Sequence, residues 1–174
     1  MLAKQICKSF PYSASSDAKV LILGSMPGKR SLTANQYYAH PQNCFWDIML
    51  DLFEVNCDLD YQSRLKLLRD SKVALWDVAF LCERQSSLDS DIISESVVPN
   101  DFKSLFADYS EIQTVYFNGK KSEQLYRSFV LKQSGFKSNI KEYISLPSTS
   151  PAHASMSREE KKKVWREELK KVLF

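Results

Sequence analysis

The sequence predicts an α/β fold: three layers, α/β/α, around a central four-stranded, mainly parallel sheet. Two observations carry this. Four short apolar runs, 19–23, 72–76, 112–117 and 142–146, are flanked by polar and turn-forming residues, as buried strands are. Between them apolar residues recur at threes and fours, the spacing of helices. Strands that alternate with helices build a parallel sheet covered on both faces.

The elements follow in order. Residues 1–18 read as a flexible or helical lead-in, with Ser13-Ala14-Ser15-Ser16 its loosest part. After the first strand, Phe45, Ile48, Met49, Leu52 and Phe53 mark a helix, and Leu65 and Leu68 mark another before the second strand. Phe102, Leu105 and Phe106 mark a third, and Ser122 to Leu131 a fourth with Leu125 and Phe129 inward. The last helix opens at Ser157 with Ser-Arg-Glu-Glu, a capping box in which Ser157 and Glu160 exchange bonds with free backbone donors. Its apolar stripe is Trp165, Leu169 and Val172. No repeat, linker or low-complexity segment divides the 174 residues, so 1–174 is expected to be a single domain.

Composition narrows the classes. At 44% hydrophobic and 26% charged, the chain has the make-up of a soluble globular protein. No apolar stretch approaches the ~20 residues of a membrane span. The N-terminus lacks the apolar centre of an export signal, which points to the cytoplasm, or to the nucleoid in a prokaryote. Cys7, Cys44, Cys57 and Cys82 are scattered and His40 and His153 lie far apart, so neither a disulfide nor a metal site is expected. The net charge of +3 allows a polyanionic partner without demanding one. Lys161-Lys162-Lys163, set among Glu159, Glu160, Glu167 and Glu168, reads as a solvated helix face. A monomer is expected.

The unusual residues collect where strands end. Gly24-Ser25-Met26-Pro27-Gly28 follows the first strand, Asp77 ends the second, Asn118-Gly119-Lys120 follows the third, and Pro147 to His153 follows the fourth. The carboxyl edge of an open α/β sheet is where ligands bind. The block from Gly24 to Trp46 adds two adjacent Tyr, a His and two Asn, a mixture suited to gripping a flat polar ligand.

These residues resemble the uracil-DNA glycosylase superfamily, and most of all its hypoxanthine-DNA (deoxyinosine) glycosylase branch. GSMPGKRSL…QYYAHPQNCFW is similar to that branch's version of the Gly-x-x-Pro-Gly loop, and ALWDV, FNGK and LPSTSPAH are similar to its later motifs in the same order. ERQSSLDSDI resembles an Arg-x-Gly-Ser-x-Asp segment of the branch, with Ser86 where Gly is expected. The resemblance implies a monofunctional DNA glycosylase. Such an enzyme flips a deaminated base out of DNA, hypoxanthine first and uracil or xanthine after, and hydrolyses its bond to deoxyribose without a cofactor. Two other classes stay open: a catalytically weak binder of damaged DNA with the same fold, and a hydrolase of free nucleosides or nucleotides.

Each candidate residue has a plain and a functional reading. Gly24 and Gly28 permit a tight turn that brings backbone close to a ligand. Tyr38, just before Ala-His-Pro, is the candidate ring for stacking on the base, with Tyr37 turned into the core. Relatives keep an Asp or Asn inside the Gly-x-x-Pro-Gly loop to position water. Here Ser25 and Met26 stand there, so Asn43 becomes the first catalytic candidate and Ser25 the second. The plain alternative for Asn43 is a cap on the helix after it. Gly24, Met26, Asp77 and Asn118 are assigned to base binding. An ionised Asp77 would accept from the N1–H of hypoxanthine and be repelled by the bare N1 of adenine. As plain alternatives, Asp77 could cap a turn and Asn118 could be a turn residue before Gly119. Pro27, Gly28, Ser148, Thr149, Ser150 and His153 are assigned to DNA. The three hydroxyl residues near a helix start would grip phosphate, and the resemblance implies that their loop pinches the backbone and inserts a wedge.

Overall fold

The structure is a computed structural model that describes residues 5–174. Its centre is a four-stranded, all-parallel sheet of β2 (Val20–Gly24), β3 (Val73–Asp77), β6 (Thr114–Asn118) and β7 (Glu142–Leu146), in the order β3-β2-β6-β7. These are the four strands the sequence predicts, each within two residues of its expected bounds. Side chains alternate across the sheet because successive strand residues point to opposite faces. Leu21, Leu23, Ala74, Trp76, Val115 and Phe117 therefore enter one core, and Val20, Ile22, Val73, Leu75 and Tyr116 enter the other.

Helices cover both cores. α4 (Phe102–Asp108) and α5 (Lys120–Phe129) close the first with Phe102, Leu105, Phe106, Leu125 and Tyr126. α2 (Phe45–Leu52), α3 (Tyr61–Asp70) and α6 (Arg158–Leu173) close the second with Phe45, Ile48, Met49, Leu52, Leu68, Trp165 and Leu169. The capping box of α6 is formed: Glu160 N–H donates to Ser157 Oγ (3.3 Å), and Ser157 N–H to Glu160 Oε2 (2.7 Å). Trp165 is fully buried, and its Nε1–H donates to the Pro147 carbonyl (2.8 Å), tying α6 to the loop after β7. Among the described residues the remaining α-helix, α1 (Lys29–Ala34), had no apolar spacing to announce it.

Two expectations are corrected. Within the lead-in, β1 (Gln5–Lys8) is a strand that pairs antiparallel with β4 (Ala79–Arg84). With β5 (Val98–Pro99) these form a second, three-stranded sheet. Ser13 is not loose: its N–H and C=O bond the carbonyl and N–H of Leu75 at 2.9 and 2.8 Å, covering the edge of β3. Residues 1–4 of the lead-in lie outside the described residues. The second correction concerns the basic run. Lys162 pairs with Asp51 (3.3 Å) on the helix surface, but Lys161 is buried and donates to the Ser150 carbonyl (3.0 Å). That ammonium braces the loop after β7 from behind.

Gly119 sets the path of the chain between β6 and α5. It has φ +93°, and a Cβ there would stand 3.0 Å from the Cβ of Ser148. Gly119→Ala should therefore lower unfolding free energy by about 1–3 kcal/mol, from the left-handed backbone and the crowding together. Urea denaturation checks this, with excision activity falling in step because the Ser148 loop is displaced.

Candidate active site

The four strand ends meet at one cavity of about 550 Å³. Gly24 to Ser31 and Ser87 to Ser90 form one wall, Ser148 to His153 the other, and Tyr38, His40, Asn43, Asp77 and Asn118 line the space between. A smaller cavity of about 380 Å³ lies against the β3 edge, between Phe10, Tyr12, Tyr61 and Arg69 among others, and no carboxylate lines it.

The closed end of the cavity follows from sheet register. Gly24 and Asp77 are partners in the parallel β2–β3 pair, so their side-chain positions share one face. Gly24 has no side chain, and the Asp77 carboxyl occupies its place. A Cβ on Gly24 would overlap Asp77 Oδ1 and come within 3.2 Å of the Tyr38 hydroxyl. The glycine is thus required by close approach rather than by its backbone angles.

Two polar atoms at this end, Tyr38 Oη and Asp77 Oδ2, are buried and make no well-formed hydrogen bond. Such atoms are rare and costly unless something else satisfies them. Burial first, and then the nearby Asp89, push the Asp77 carboxyl up to about 8, and the Arg84 guanidinium offsets only part of this. Asp77 is therefore protonated at neutral pH, which corrects the expectation of an ionised acceptor. The Tyr38 hydroxyl is likewise pushed far up, by burial first and then by Asp77.

Tyr37 is the buried member of the pair, and both tyrosines border the cavity. Tyr37 is buried, with its hydroxyl on the Pro11 carbonyl (3.0 Å) and its own carbonyl accepting from Trp46 Nε1–H (2.9 Å). Tyr38 is half-buried and stacks on Phe45, with centroids 4.1 Å apart and planes at 28°. It holds φ +54°, a left-handed conformation that costs a non-glycine residue about 1–2 kcal/mol. The residue borders the cavity, and Phe45 packs against one face of its ring.

The wall from Gly24 to Lys29 is held by the segment from Arg84 to Asp89, whose motif carried no assigned role. Arg84, fully buried at the end of β4, donates through Nη2 to the Pro27 carbonyl. Ser25 Oγ–H donates to Asp89 Oδ1 (2.5 Å), and Lys29 N–H donates to Ser87 Oγ (3.1 Å). Burial raises the Asp89 carboxyl, while the Ser25 hydroxyl and Arg84 oppose this. Arg84, Ser87 and Asp89 occupy the Arg, Ser and Asp places of the Arg-x-Gly-Ser-x-Asp resemblance, which is the signal that could have found them.

Several assignments change accordingly. The Ser25 hydroxyl is committed to Asp89, which makes it a bracket of the loop rather than a water-orienting group. The Met26 side chain lies in the first core, so the residue borders the cavity without offering that side chain to a base. Pro27 is buried and its carbonyl is taken by Arg84, leaving little of it for DNA. Gly28 has φ −67° and open space around it, so no tight turn requires it. The Asn118 amide is used at both ends, giving Nδ2–H to Thr149 Oγ1 and taking Thr149 N–H on Oδ1, both at 2.9 Å. It fastens the fourth strand's loop to the third strand instead of reading a base. Thr149 is fully buried and cannot reach phosphate.

Ser148, Ser150 and His153 do border the cavity. Ser148 Oγ accepts from Ser150 N–H and Ser150 Oγ from Ala152 N–H, both at 3.2 Å, and each hydroxyl keeps its proton to donate. The helix start expected beside them lies farther on, at Arg158, so their donors are turn hydroxyls rather than helix amides. The ring of His153 stands 3.4 Å from Ser155 Oγ at the rim. Asn43 Oδ1 accepts from Phe45 N–H (3.0 Å) at the start of α2, and the residue lines the cavity. The N-cap of α2 is Cys44, so Asn43 supports the helix start from one residue outside it while lining the cavity. His40, noted in the Gly24–Trp46 block but given no role of its own, also lines the cavity. Its Nδ1 accepts from Gln42 N–H (3.1 Å), which leaves the proton of the neutral ring on Nε2.

A three-layer α/β/α fold whose strand ends open on one polar cavity, lined by an acid, two tyrosines and several amide and hydroxyl side chains, defines the class of protein. Residues 10–173 match the family model described as Uracil DNA glycosylase superfamily, and the chain belongs to that superfamily. It is 32% identical to a hypoxanthine DNA glycosylase of Methanosarcina acetivorans over 88% of this chain and 92% of that protein. It is 34% identical to a hypoxanthine DNA glycosylase of Methanosarcina barkeri over 76% of this chain and 82% of that protein. Its fold is similar to a solution NMR structure of a candidate uracil DNA glycosylase from Methanosarcina acetivorans. The TM-score is 0.73 at 32% identity, covering 94% of this chain and 98% of that one.

The raised Asp77 carboxyl has a consequence for stability. The folded protein holds this proton up to about pH 8, whereas the unfolded chain releases it near the ordinary 3.8. The native state thus binds more protons across that window, and stability from this group is full below it and lost as pH rises to 8. Asp77→Asn removes the group. Its stability relative to the parent should climb from pH 4 to 8 and then level off, as read from thermal melts across pH.

Proposed function

We propose that the protein is a monofunctional DNA glycosylase that excises deaminated bases, hypoxanthine first and uracil or xanthine second. The carrying observation is the neutral, unpartnered Asp77 carboxyl at the closed end of the cavity. A neutral carboxyl donates one hydrogen bond and accepts another. Hypoxanthine presents the complementary edge, N1–H beside the C6 carbonyl, and so does uracil. As the bond to the sugar breaks, negative charge spreads over the base, and an O–H donor aimed at the carbonyl stabilises it where a carboxylate would oppose it. The names of the Methanosarcina relatives agree with this substrate class.

A neutral acid also matches the amino–imine edge of adenine, so repulsion at Asp77 does not separate the two purines. The rejection of adenine is assigned to extrusion. Adenine leaves a sound Watson–Crick pair, and a deaminated base leaves a weaker one. In this reading Tyr38 is the shelf for the flipped base. Asn43, fixed by its bond to Phe45 N–H, keeps a lone pair and two N–H donors to position water at the sugar. Ser148, Ser150 and His153 meet the DNA backbone.

Duplex oligonucleotides carrying inosine, uracil, xanthine or a thymine mismatch test the proposal. Alkali-labile breaks should form fastest at inosine and next at uracil, and their absence with all four would refute it. Free deoxyinosine should not be cleaved at a comparable rate. Asn43→Ala should cut the single-turnover rate by about 10²–10³ while changing DNA affinity by less than about threefold. Excision by the parent should decline above pH 8 as Asp77 ionises. Asp77→Asn keeps a donor and an acceptor, so it should retain activity within about tenfold at pH 7 and lose that decline.

A further inference from the structure

The geometry points to Leu88 as the wedge that enters the DNA stack when the target base leaves it, an inference that rests on the glycosylase reading. Leu88 is 49% exposed. Among the described residues the other large apolar side chains with comparable exposure are Ile6, Tyr12, Val98 and Phe174, and none of them borders the main cavity. Leu88 does. An exposed leucine on a surface needs no explanation, but one at the mouth of a base-sized pocket has a use.

The loop that carries it is built to hold a tip in place. Its two ends are tied to the pocket wall by Arg84 on Pro27 and by Asp89 on Ser25. Ser87 Oγ takes Lys29 N–H (3.1 Å), and Ser86 Oγ takes the N–H of Leu88 itself (3.0 Å). The Leu88 carbonyl accepts from Asp91 N–H (3.1 Å). Its neighbours Ser86, Ser87 and Ser90 are small and polar, so the tip is narrow. A rigid, narrow tip with one apolar side chain suits insertion between base steps, where leucine is among the residues that do this.

The opposite wall is the one to which the family resemblance assigns a wedge, and its apolar tip is shorter than a leucine. Its exposed tip is Pro151-Ala152, Thr149 is buried, and Ser148 and Ser150 present hydroxyls. The two walls thus act on different parts of the DNA. Ser148, Ser150 and His153 hold the backbone, and Leu88 fills the gap.

The test uses the full-length protein and duplexes with 2-aminopurine beside the inosine, together with single-stranded and bubble oligonucleotides of the same sequence. Binding by the parent should raise 2-aminopurine fluorescence, because the stack is opened. Leu88→Ala should lose most of that rise and lose about tenfold or more of its duplex excision rate, while excision from single-stranded or bubble substrate changes by less than about threefold. Leu88→Met and Leu88→Phe should restore both readouts. Equal losses on all substrates would make Leu88 a structural part of the loop and overturn the inference. An unchanged Leu88→Ala, with Pro151→Ala taking the duplex-specific loss, would overturn it in favour of the other wall. The fluorescence arm requires no chemistry, so it remains informative if the parent excises nothing and the glycosylase reading itself fails.

Discussion

Everything at the carboxyl edge depends on one close approach: the Asp77 carboxyl lying where Gly24 has no side chain. Parallel register makes the two residues neighbours on one face. Because the space is empty of Cβ, the acid folds over the end of β2 and meets the hydroxyl end of Tyr38. Because it is buried there beside Asp89, with Arg84 offsetting only part of the penalty, it keeps its proton at neutral pH. A strand-end glycine thereby sets the protonation state of the group that closes the pocket.

The walls of that pocket are held by polar brackets rather than by apolar packing. On one side Arg84, Ser87 and Asp89 grip the carbonyl, amide and hydroxyl of the Pro27, Lys29 and Ser25 positions. On the other, Asn118 grips Thr149 twice, the Thr149 carbonyl accepts from Cys44 N–H (3.1 Å), and Lys161 holds Ser150 from beneath. Buried polar networks of this kind rigidify what they connect when they are well satisfied. The brackets are not satisfied throughout: Arg84 bonds through Nη2 alone, with Nε and Nη1 buried without a hydrogen-bond partner, and at the closed end Tyr38 Oη and Asp77 Oδ2 are unsatisfied as well. Rigidity around an unsatisfied end is the arrangement a preorganised binding site requires.

The parallel sheet was legible because three of its strands are buried on both faces, the edge strand β7 keeps an apolar centre, and helical spacing separates them. The second sheet was not. Gln5-Ile6-Cys7-Lys8 has one buried residue, Cys7, and exposes the rest, so it carries no run of apolar residues to read. That Tyr37 is the buried member of the tyrosine pair was readable from their positions in one motif. The bracing roles of Asn118 and of the Arg84–Asp89 segment were not, because they depend on which polar atom finds a buried partner distant in the chain. Lys161 illustrates the same limit. Three adjacent lysines look alike in sequence, and only helix phase against the Ser150 carbonyl decides which one is buried. The protonation state of Asp77 was hidden for a related reason: a carboxyl group's charge is set by burial and by neighbours distant in the chain, here Asp89 and Arg84.

On the proposed function, Asp77 meets the lactam edge of the base as a neutral acid. Carbon-13 NMR of the side-chain carboxyl, assigned by its absence in Asp77→Asn, tests this at the atom itself across a pH titration. The carboxyl shift should lie in the protonated range at pH 7 and move with a midpoint near 8. A midpoint near the ordinary carboxylate value, with the group fully ionised at neutral pH, would be incompatible with that role.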